Sequence, residues 1–153
     1  GSFDEKINIG DVVNVTSDQI SQLGAEDGES FLSLIDMDLI KDDDYSLTHT
    51  KMENSILPKN IIINKLKKVS GITVNTTHGA QISIQKIKKL FAPQIESMEG
   101  AAFLYACLLE GITCAQIIVI SNKVEKRNKE NWNIPLAVKN LCFTSLQILN
   151  SKL

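Results

Sequence analysis

Two groups of side chains in this sequence could act together on a small molecule. The first is the run Glu96-Ser97-Met98-Glu99, which follows an apolar approach and precedes a row of small residues. The second is Asn122, which closes a later apolar run together with Ser121. A carboxylate accepts two hydrogen bonds and can hold a vicinal diol, whereas a primary amide donates and accepts and can read a purine edge. A sugar diol and a base edge are the two ends of a nucleoside.

Both residues also have a simpler interpretation. Glu99 could be a carboxylate that stabilises a helix N-terminus. Asn122 could be a turn residue at the end of a strand. The two occurring together favour a binding site over these separate structural roles.

The elements around these residues decide whether they meet. Residues 94–98 are predicted as a short strand, and residues 99–110 as a nearly all-apolar helix that should be buried on most sides and end at Gly111. Residues 115–121 form a continuous apolar strand of the kind found at the centre of a sheet. This pattern predicts a βαβ unit, in which ligands bind at the carboxyl ends of the strands, so Glu99 and Asn122 should lie in one crevice.

The rest of the chain predicts an alternation of strands and helices. Residues 11–17 and 72–77 have the composition of strands, and residues 18–24 that of a helical turn. Residues 24–51 are polar and predicted as a solvated loop, including the acidic run 42–44, which we interpret as solvated and not as a metal site. Residues 56–68 show no clear period. Two helices are predicted: one amphipathic, over 83–91, with Ile84, Ile87, Leu90 and Phe91 on its apolar face and Pro93 after it, and one capped by Asn133 and running to about Asn150.

Composition narrows the class of protein. The 153 residues fit one domain, and 43% hydrophobic and 22% charged residues are ordinary for a globular chain. The net charge of −2, without a basic tract, argues against nucleic acid as a partner. No apolar run approaches the roughly 20 residues that span a bilayer, so we expect no membrane association.

Cysteines and histidines predict no metal or disulfide chemistry. Cys107, Cys114 and Cys142 are odd in number and lie in apolar surroundings, which is typical of reduced core cysteines in a cytoplasmic protein. They and the 2 histidines, His49 and His78, lack metal-ligand spacing, so we expect neither a metal nor another cofactor. His78 follows a strand and is either a turn residue or part of the pocket lining.

Several segments together resemble the nucleoside phosphorylase and nucleosidase superfamily, and within it the futalosine hydrolases. The Met98-Glu99 pair is a sequence motif of the superfamily. The sequences from Ser97 to Ala102 and from Leu23 to Gly28 are similar to those of futalosine hydrolases in particular. The resemblance covers nearly the whole chain. Its segments are residues 1–3, 9–13, 23–28, 70–76, 96–102, 120–122 and 127–137.

The resemblance implies an α/β fold with a central mixed sheet flanked by helices, of which residues 1–153 would be the C-terminal part of a single nucleosidase domain. In the family a Gly-Ser-Phe turn like residues 1–3 lies well inside the protein. We therefore expect that about the N-terminal third, with its strands, helices and water-activating glutamate, is not represented here. No residue of this chain can be assigned the role of that glutamate.

The resemblance also implies roles for individual residues. Glu99 would hold the ribose hydroxyls, and Met98 would pack beneath the ribose or simply fill the core. Asn122 matches an aspartate of relatives that act on 6-aminopurines; asparagine cannot protonate a base but can donate to a 6-oxopurine such as hypoxanthine. The remaining candidates for substrate contacts are Thr73, Val74, Asn75 and Ser97.

With these roles, the resemblance implies a purine nucleosidase that releases hypoxanthine from futalosine in menaquinone biosynthesis. Val74 and Ser97 depart from the adenine-specific relatives, which carry a stacking aromatic and a second glutamate there. The loop from Lys123 to Trp132 is a candidate lid, in which Arg127 either meets a substrate carboxylate or lies on the solvated surface. Superfamily members are usually homo-oligomers, so a second copy is an expected partner beside the purine nucleoside.

Two alternatives stay open at the level of sequence. The first alternative is another nucleosidase or phosphorylase of the superfamily, which would act on methylthioadenosine, adenosylhomocysteine or inosine. A phosphorylase holds phosphate with arginines, and Arg127 is the single arginine here. The other is a truncated domain that binds nucleosides without turnover.

Overall fold

The computed structural model describes residues 1–41 and 51–151. In chain order the strands are β1 Val12–Asp18, β2 Gly24–Asp27, β3 Ser30–Ser33, β4 Met52–Glu53, β5 Lys67–Thr73, β6 Ile95–Ser97 and β7 Gln116–Val119. The helices are α1 Ile61–Lys65, α2 Gln81–Phe91, α3 Gly100–Leu109 and α4 Ile134–Asn150, with a 3₁₀ turn at Lys129–Asn131.

The central sheet of the described residues is five-stranded and mixed, in the order β4-β1-β5-β6, with β7 also pairing to β1. β1, β5 and β6 run parallel, whereas β4 and β7 run antiparallel to β1. β2 and β3 form a separate hairpin. The predicted α/β class, with a mixed sheet flanked by helices, is therefore confirmed.

Apolar side chains bury both faces of the sheet. On one face Ile72 of β5 packs with Ile84 and Ile87 of α2 and with Phe3. On the other, Val13 and Val15 of β1 pack with Val69, Ile95, Ile7 and Ile120. The period of α2 is therefore confirmed at Ile84 and Ile87, although Leu90 of the same predicted face is exposed.

Two predicted segments of the first third are wrong. Residues 18–24 do not form a helical turn, because backbone bonds between Gln19, Ser21 and Thr73 extend this segment along the end of β5. Residues 24–33 are not a loop but the β2–β3 hairpin, which turns at Gly28 with a φ of 60°. The acidic run 42–44 and His49 lie outside the described residues.

The unit from β6 to β7 departs most from expectation. The order strand, helix, strand is confirmed, but β7 is antiparallel to β1 and pairs with no other strand of the described residues, so it is neither half of a βαβ unit nor the centre of the sheet. α3 is also less buried than predicted: Ala101 and Leu104 face the core, while Phe103, Tyr105 and Leu109 are exposed. Hydrophobicity alone did not reveal which of its sides a neighbour covers.

Candidate functional site

The ends of β5 and β6 bring the first group of candidate residues together. Thr73 is in register with Ser97, and the Val74 N–H donates to the Ser97 carbonyl oxygen at 2.9 Å. Met98 and Glu99 follow directly, so Thr73, Val74, Ser97, Met98 and Glu99 share one edge of the sheet. This edge is the carboxyl end of two parallel strands, where ligands bind in α/β folds.

Asn122 reaches this region by a route that the strand pattern did not predict. The chain continues past β7 and runs beside residues 1–3, where the Ser2 N–H donates to the Asn122 carbonyl oxygen at 3.0 Å. Gly1 in turn exchanges two backbone bonds with Glu96, at 2.9 and 3.0 Å. Asn122, Gly1 and Glu96 therefore lie side by side on three adjacent extended segments, about 10 Å across from first to last.

The Asn122 amide is fixed by its own neighbours. The Ser121 hydroxyl donates to Asn122 Oδ1 at 2.8 Å, and Asn122 Nδ2 donates to the Lys123 carbonyl oxygen at 2.9 Å. Asn122 Nδ2 also lies 3.1 Å from the position that a Cβ on Gly1 would occupy. The amide thus leans over the glycine toward Glu96, while Lys123 anchors the segment by donating to the Asp4 carbonyl oxygen at 2.9 Å.

Glu99 occupies the position before the first turn of α3. Its side chain makes no capping bond to the helix and, among residues 1–41 and 51–151, accepts only the Met98 N–H, at 3.1 Å. The Gly100 N–H is bound instead by the Ser97 hydroxyl, at 3.3 Å. Glu99 is exposed, as is Met98 at 51%, and Glu99 and Ser97 line a cleft of about 320 Å³ between α3 and β7.

Thr73 belongs to a buried hydrogen-bond network beneath this edge. Its hydroxyl donates to Asp18 Oδ1 at 3.0 Å and accepts the Ala101 N–H of α3 at 2.7 Å. Gln116 Nε2 donates to the other Asp18 oxygen at 3.4 Å. Burial raises the pKa of Asp18 to about 6, against the lowering effect of these bonds. The network ties β1, β5 and β7 to the start of α3, and so to Glu99.

The other two predicted base contacts lie in different environments. Val74 is 3% exposed and packs with Phe3 and α2, so its side chain belongs to the core. Asn75 is exposed at the start of the segment that follows β5. Thr73, at 9% exposed, has its hydroxyl engaged by Asp18 and Ala101.

His78 and Glu96 form a buried pair that the sequence did not identify. His78 Nδ1 lies 2.8 Å from Glu96 Oε2, with side chains only 6% and 4% exposed. The His78 backbone N–H also donates to Glu96 Oε1, at 3.2 Å. Glu96 faces the side of β6 opposite to Ser97, and its backbone pairing with Gly1 aligns it with Asn122. Only the assembled sheet reveals this, since the pair is separated by 18 residues in the chain.

The loop 123–132 packs against the same region. The backbone of Arg127 lies 3.7 Å from the position of a Cβ on Gly79, next to His78. The Arg127 guanidinium stacks on Trp132, 4.9 Å from the ring centre. Arg127 is exposed, so its charge remains accessible to a ligand.

The part of the chain that the structure describes contains no assembled metal site. There, no group of three or more His, Cys, Asp or Glu side chains could hold a metal ion. Cys107, Cys114 and Cys142 are free thiols. The prediction that all three are core residues is wrong for Cys142, which is exposed on α4. Among the described residues, no helix is long and apolar enough to cross a membrane.

Comparison of the sequence with known proteins finds two futalosine hydrolases. The chain is 31% identical to the enzyme of Acidothermus cellulolyticus over 75 residues, which are 48% of this chain and 31% of that protein. It is 29% identical to the enzyme of Thermus thermophilus over 84 residues, which are 55% of this chain and 37% of that protein. No protein-family model matches the chain.

Comparison of the structure finds solved nucleosidases with the same fold. A futalosine hydrolase of Helicobacter pylori aligns with a TM-score of 0.69 and 12% identity, over 98% of this chain and 64% of that one. A 5′-methylthioadenosine/S-adenosylhomocysteine nucleosidase of Neisseria meningitidis aligns with a TM-score of 0.65 and 13% identity, over 97% and 65%. A 5′-methylthioadenosine nucleosidase of Arabidopsis thaliana aligns with a TM-score of 0.68 and 19% identity, over 98% and 57%.

The aligned regions cover under two thirds of the solved relatives and about a third of the sequence relatives. At these identities the solved structures establish the fold. The expected resemblance is thereby confirmed: the chain has the nucleoside phosphorylase and nucleosidase fold, and its sequence is similar to that of futalosine hydrolases over about half its length.

Proposed function

We propose that this chain carries the substrate-binding part of a purine nucleosidase, which hydrolyses the N-glycosidic bond of futalosine and releases hypoxanthine. The observation that supports this most directly is the alignment of Asn122, Gly1 and Glu96 across adjacent segments, beside the strand end that carries Glu99. An amide and a free carboxylate at one edge of the sheet match the two ends of a nucleoside. Two sequence relatives named futalosine hydrolase support the choice of substrate.

Glu99 is the proposed ribose-binding group. Its carboxylate is exposed and accepts one N–H from the described part of the chain, that of Met98, which leaves lone pairs for the 2′- and 3′-hydroxyls. Because glycosidic cleavage passes through an oxocarbenium-like sugar, a carboxylate here also stabilises the developing positive charge. Met98, next to it and half exposed, offers an apolar surface for the ribose.

Asn122 is the proposed group for the purine. Its amide can donate to N7 or to a 6-oxo group, and such bonds strengthen as the leaving purine gains electrons. Asn75, which is exposed, is a second candidate for the base edge. Thr73, Val74 and Ser97 would then contribute by holding the strand ends in place, since their side chains are engaged within the protein.

Hydrolysis is favoured over phosphorolysis by the distribution of cations. The single arginine, Arg127, stacks on Trp132 in the loop beside His78, where it could meet the carboxylate of futalosine. A phosphate site of the arginine type would need further arginines from outside these residues. The water-activating group of the reaction is likewise not assigned to any residue of this chain.

Replacement of Glu99 by glutamine tests the proposal. Losing charge-assisted bonds, each worth about 1.5–3 kcal/mol, should lower kcat/KM for futalosine by about 10²-fold while the melting temperature stays the same. Release of the free purine is measured with and without phosphate, as hypoxanthine from futalosine and inosine and as adenine from methylthioadenosine, on the unchanged protein and on the variant. Glu110→Gln, at the other end of α3, is the matched control and should leave the rate unchanged.

The outcomes separate the candidate functions. Phosphate-independent release from futalosine that depends on Glu99 supports the nucleosidase. Release that requires phosphate would indicate a phosphorylase. An unchanged rate in Glu99→Gln would refute the role of this residue, and no release from any nucleoside by the native protein would leave a binding domain.

A further inference from the structure

Cleavage of a nucleoside leaves an electron pair on the purine, and this charge needs a proton. The bond between C1′ and N9 breaks with both electrons going to the base, so the reaction is faster when an acid protonates the purine as it leaves. Asn122 cannot do this, because an amide N–H donates a hydrogen bond but does not release its proton at neutral pH. An acid would therefore add to the proposed function a step that none of the residues assigned above can supply.

The His78–Glu96 pair has the chemistry of such an acid. A carboxylate at 2.8 Å can only accept, so the proton on this side of the ring is on Nδ1, and Nε2 is the nitrogen that can exchange its proton. Glu96 also binds the backbone N–H of His78, which fixes the position of the ring as well as its tautomer. The Phe3 ring, 6.4 Å from the imidazole between ring centres, packs beside it.

The pair lies beside the residue that is proposed to bind the base. Gly1 and Glu96 exchange two hydrogen bonds and so are directly opposed, which places their side-chain positions on the same face of the sheet. The amide of Asn122 leans over Gly1 on this same face. Glycine leaves this position free of a side chain of its own, and the Val124 side chain, whose Cγ2 lies 2.9 Å from it, packs there beside the Asn122 amide. A purine bound to Asn122 would therefore meet the His78–Glu96 pair.

We propose that His78, held by Glu96, is the general acid that protonates the leaving purine, at N7, in the reaction proposed above. As the C1′–N9 bond breaks, its electron pair passes to the purine, and the proton on Nε2 of the imidazolium moves to N7, so that the base leaves as a neutral molecule. Water supplies a hydroxyl to C1′ and releases one proton, which restores the imidazolium in the net reaction. Asn122 orients the base, and His78 provides the proton.

A substrate that needs no proton tests this directly. Futalosine methylated at N7 carries a positive charge on the purine, which leaves without protonation. His78→Asn places an amide near the position of Nδ1, where it can still donate to Glu96, but it lacks Nε2. We expect this variant of the native protein to lose about 10²-fold in kcat on futalosine and almost nothing on the N7-methyl compound. Glu96→Gln should show the same selective loss in smaller measure.

Controls keep a structural role distinguishable from the proposed one. Thr77→Ala, in the same segment and exposed, should leave both rates unchanged. An equal loss on both substrates in His78→Asn and in Glu96→Gln would overturn the proposal, because misplacement of the pocket would slow both reactions. If His78→Asn does not fold by circular dichroism and thermal melting, Glu96→Gln decides. If the unmodified protein cleaves neither futalosine nor its N7-methyl derivative, the proposed function is refuted, and this inference with it.

Discussion

Replacement of Asp18 by asparagine should stabilise the protein at neutral pH and reduce the dependence of its stability on pH. Asp18 is 1% exposed, at the end of β1, and accepts hydrogen bonds from Thr73 and Gln116; none of its hydrogen-bond partners in the described part of the chain is a cation. Burial disfavours its charged form and raises its pKa from 3.8 to about 6. A neutral side chain of the same shape removes the free-energy cost of burying this charge.

The size of the effect follows from linkage between protonation and folding. A rise from 3.8 to about 6 is about 2 units; at 1.36 kcal/mol per unit, this makes the ionised group unfavourable by about 3 kcal/mol in the folded state. Below pH 3.8 both states hold the proton and there is no penalty. Between about pH 4 and pH 6 the folded state holds more protons than the unfolded state, so the stability due to Asp18 falls as pH rises and then levels off.

The hydrogen-bond partners of Asp18 can also bind an asparagine at this position. Asparagine Oδ1 can take the Thr73 hydroxyl as Asp18 Oδ1 does. Its amide nitrogen would face Gln116 Nε2, but Gln116 Oε1 has no partner and is buried, so rotation of the Gln116 amide provides an acceptor. The gain at neutral pH should therefore approach the full value of about 3 kcal/mol.

Urea unfolding at pH 4 and pH 7.5 measures the effect, on the native protein and on Asp18→Asn. The two should be about equal in stability at pH 4, and the variant more stable at pH 7.5. Asp27→Asn, on the exposed strand β2, is the control for the loss of one negative charge. The same difference between native protein and Asp18→Asn at both pH values, or a less stable variant at pH 7.5, would refute the linkage argument.

Two further predictions address the same part of the molecule. Gly100→Ala should destabilise the protein by about 1–3 kcal/mol in urea unfolding, because a Cβ would collide with Gln116 Nε2 and Asp18 Oδ2. Gly79→Ala, whose Cβ would meet no atom closer than 3.7 Å, is the control. Equal stabilities of the two variants would contradict the packing argument. Asn122→Asp should shift the ratio of kcat/KM for futalosine and methylthioadenosine toward methylthioadenosine, the adenine nucleoside. The reason is that a carboxyl group can accept a hydrogen bond from the 6-amino group and carry a proton. An unchanged ratio would count against the 6-oxopurine assignment.

The elements that the sequence predicted well have signals close together in the chain. Ile84 and Ile87 recur at the helical period and become the buried face of α2, and the Asn133 side chain accepts the Leu136 N–H at the start of α4 as a cap should. The local sequence around Met98 and Glu99 likewise indicated the fold. These signals need only the neighbouring residues, because a cap and a helix face form within a few turns of backbone.

The arrangement of the candidate site depended on pairing between distant segments. An apolar run such as residues 116–120 is compatible with either direction in a sheet, and only the pairing with Val12–Val15 made β7 antiparallel. Alternation along a strand puts Glu96 and Ser97 on opposite faces of β6, but it does not tell which of the two faces Asn122 shares. The sequence by itself determined the class of fold, most helices and strands, and the chemical types of Glu99 and Asn122. The tertiary structure alone decided that Gly1 joins Asn122 to Glu96 and that Glu96 binds His78, because these contacts arise only when the sheet brings separate parts of the chain together.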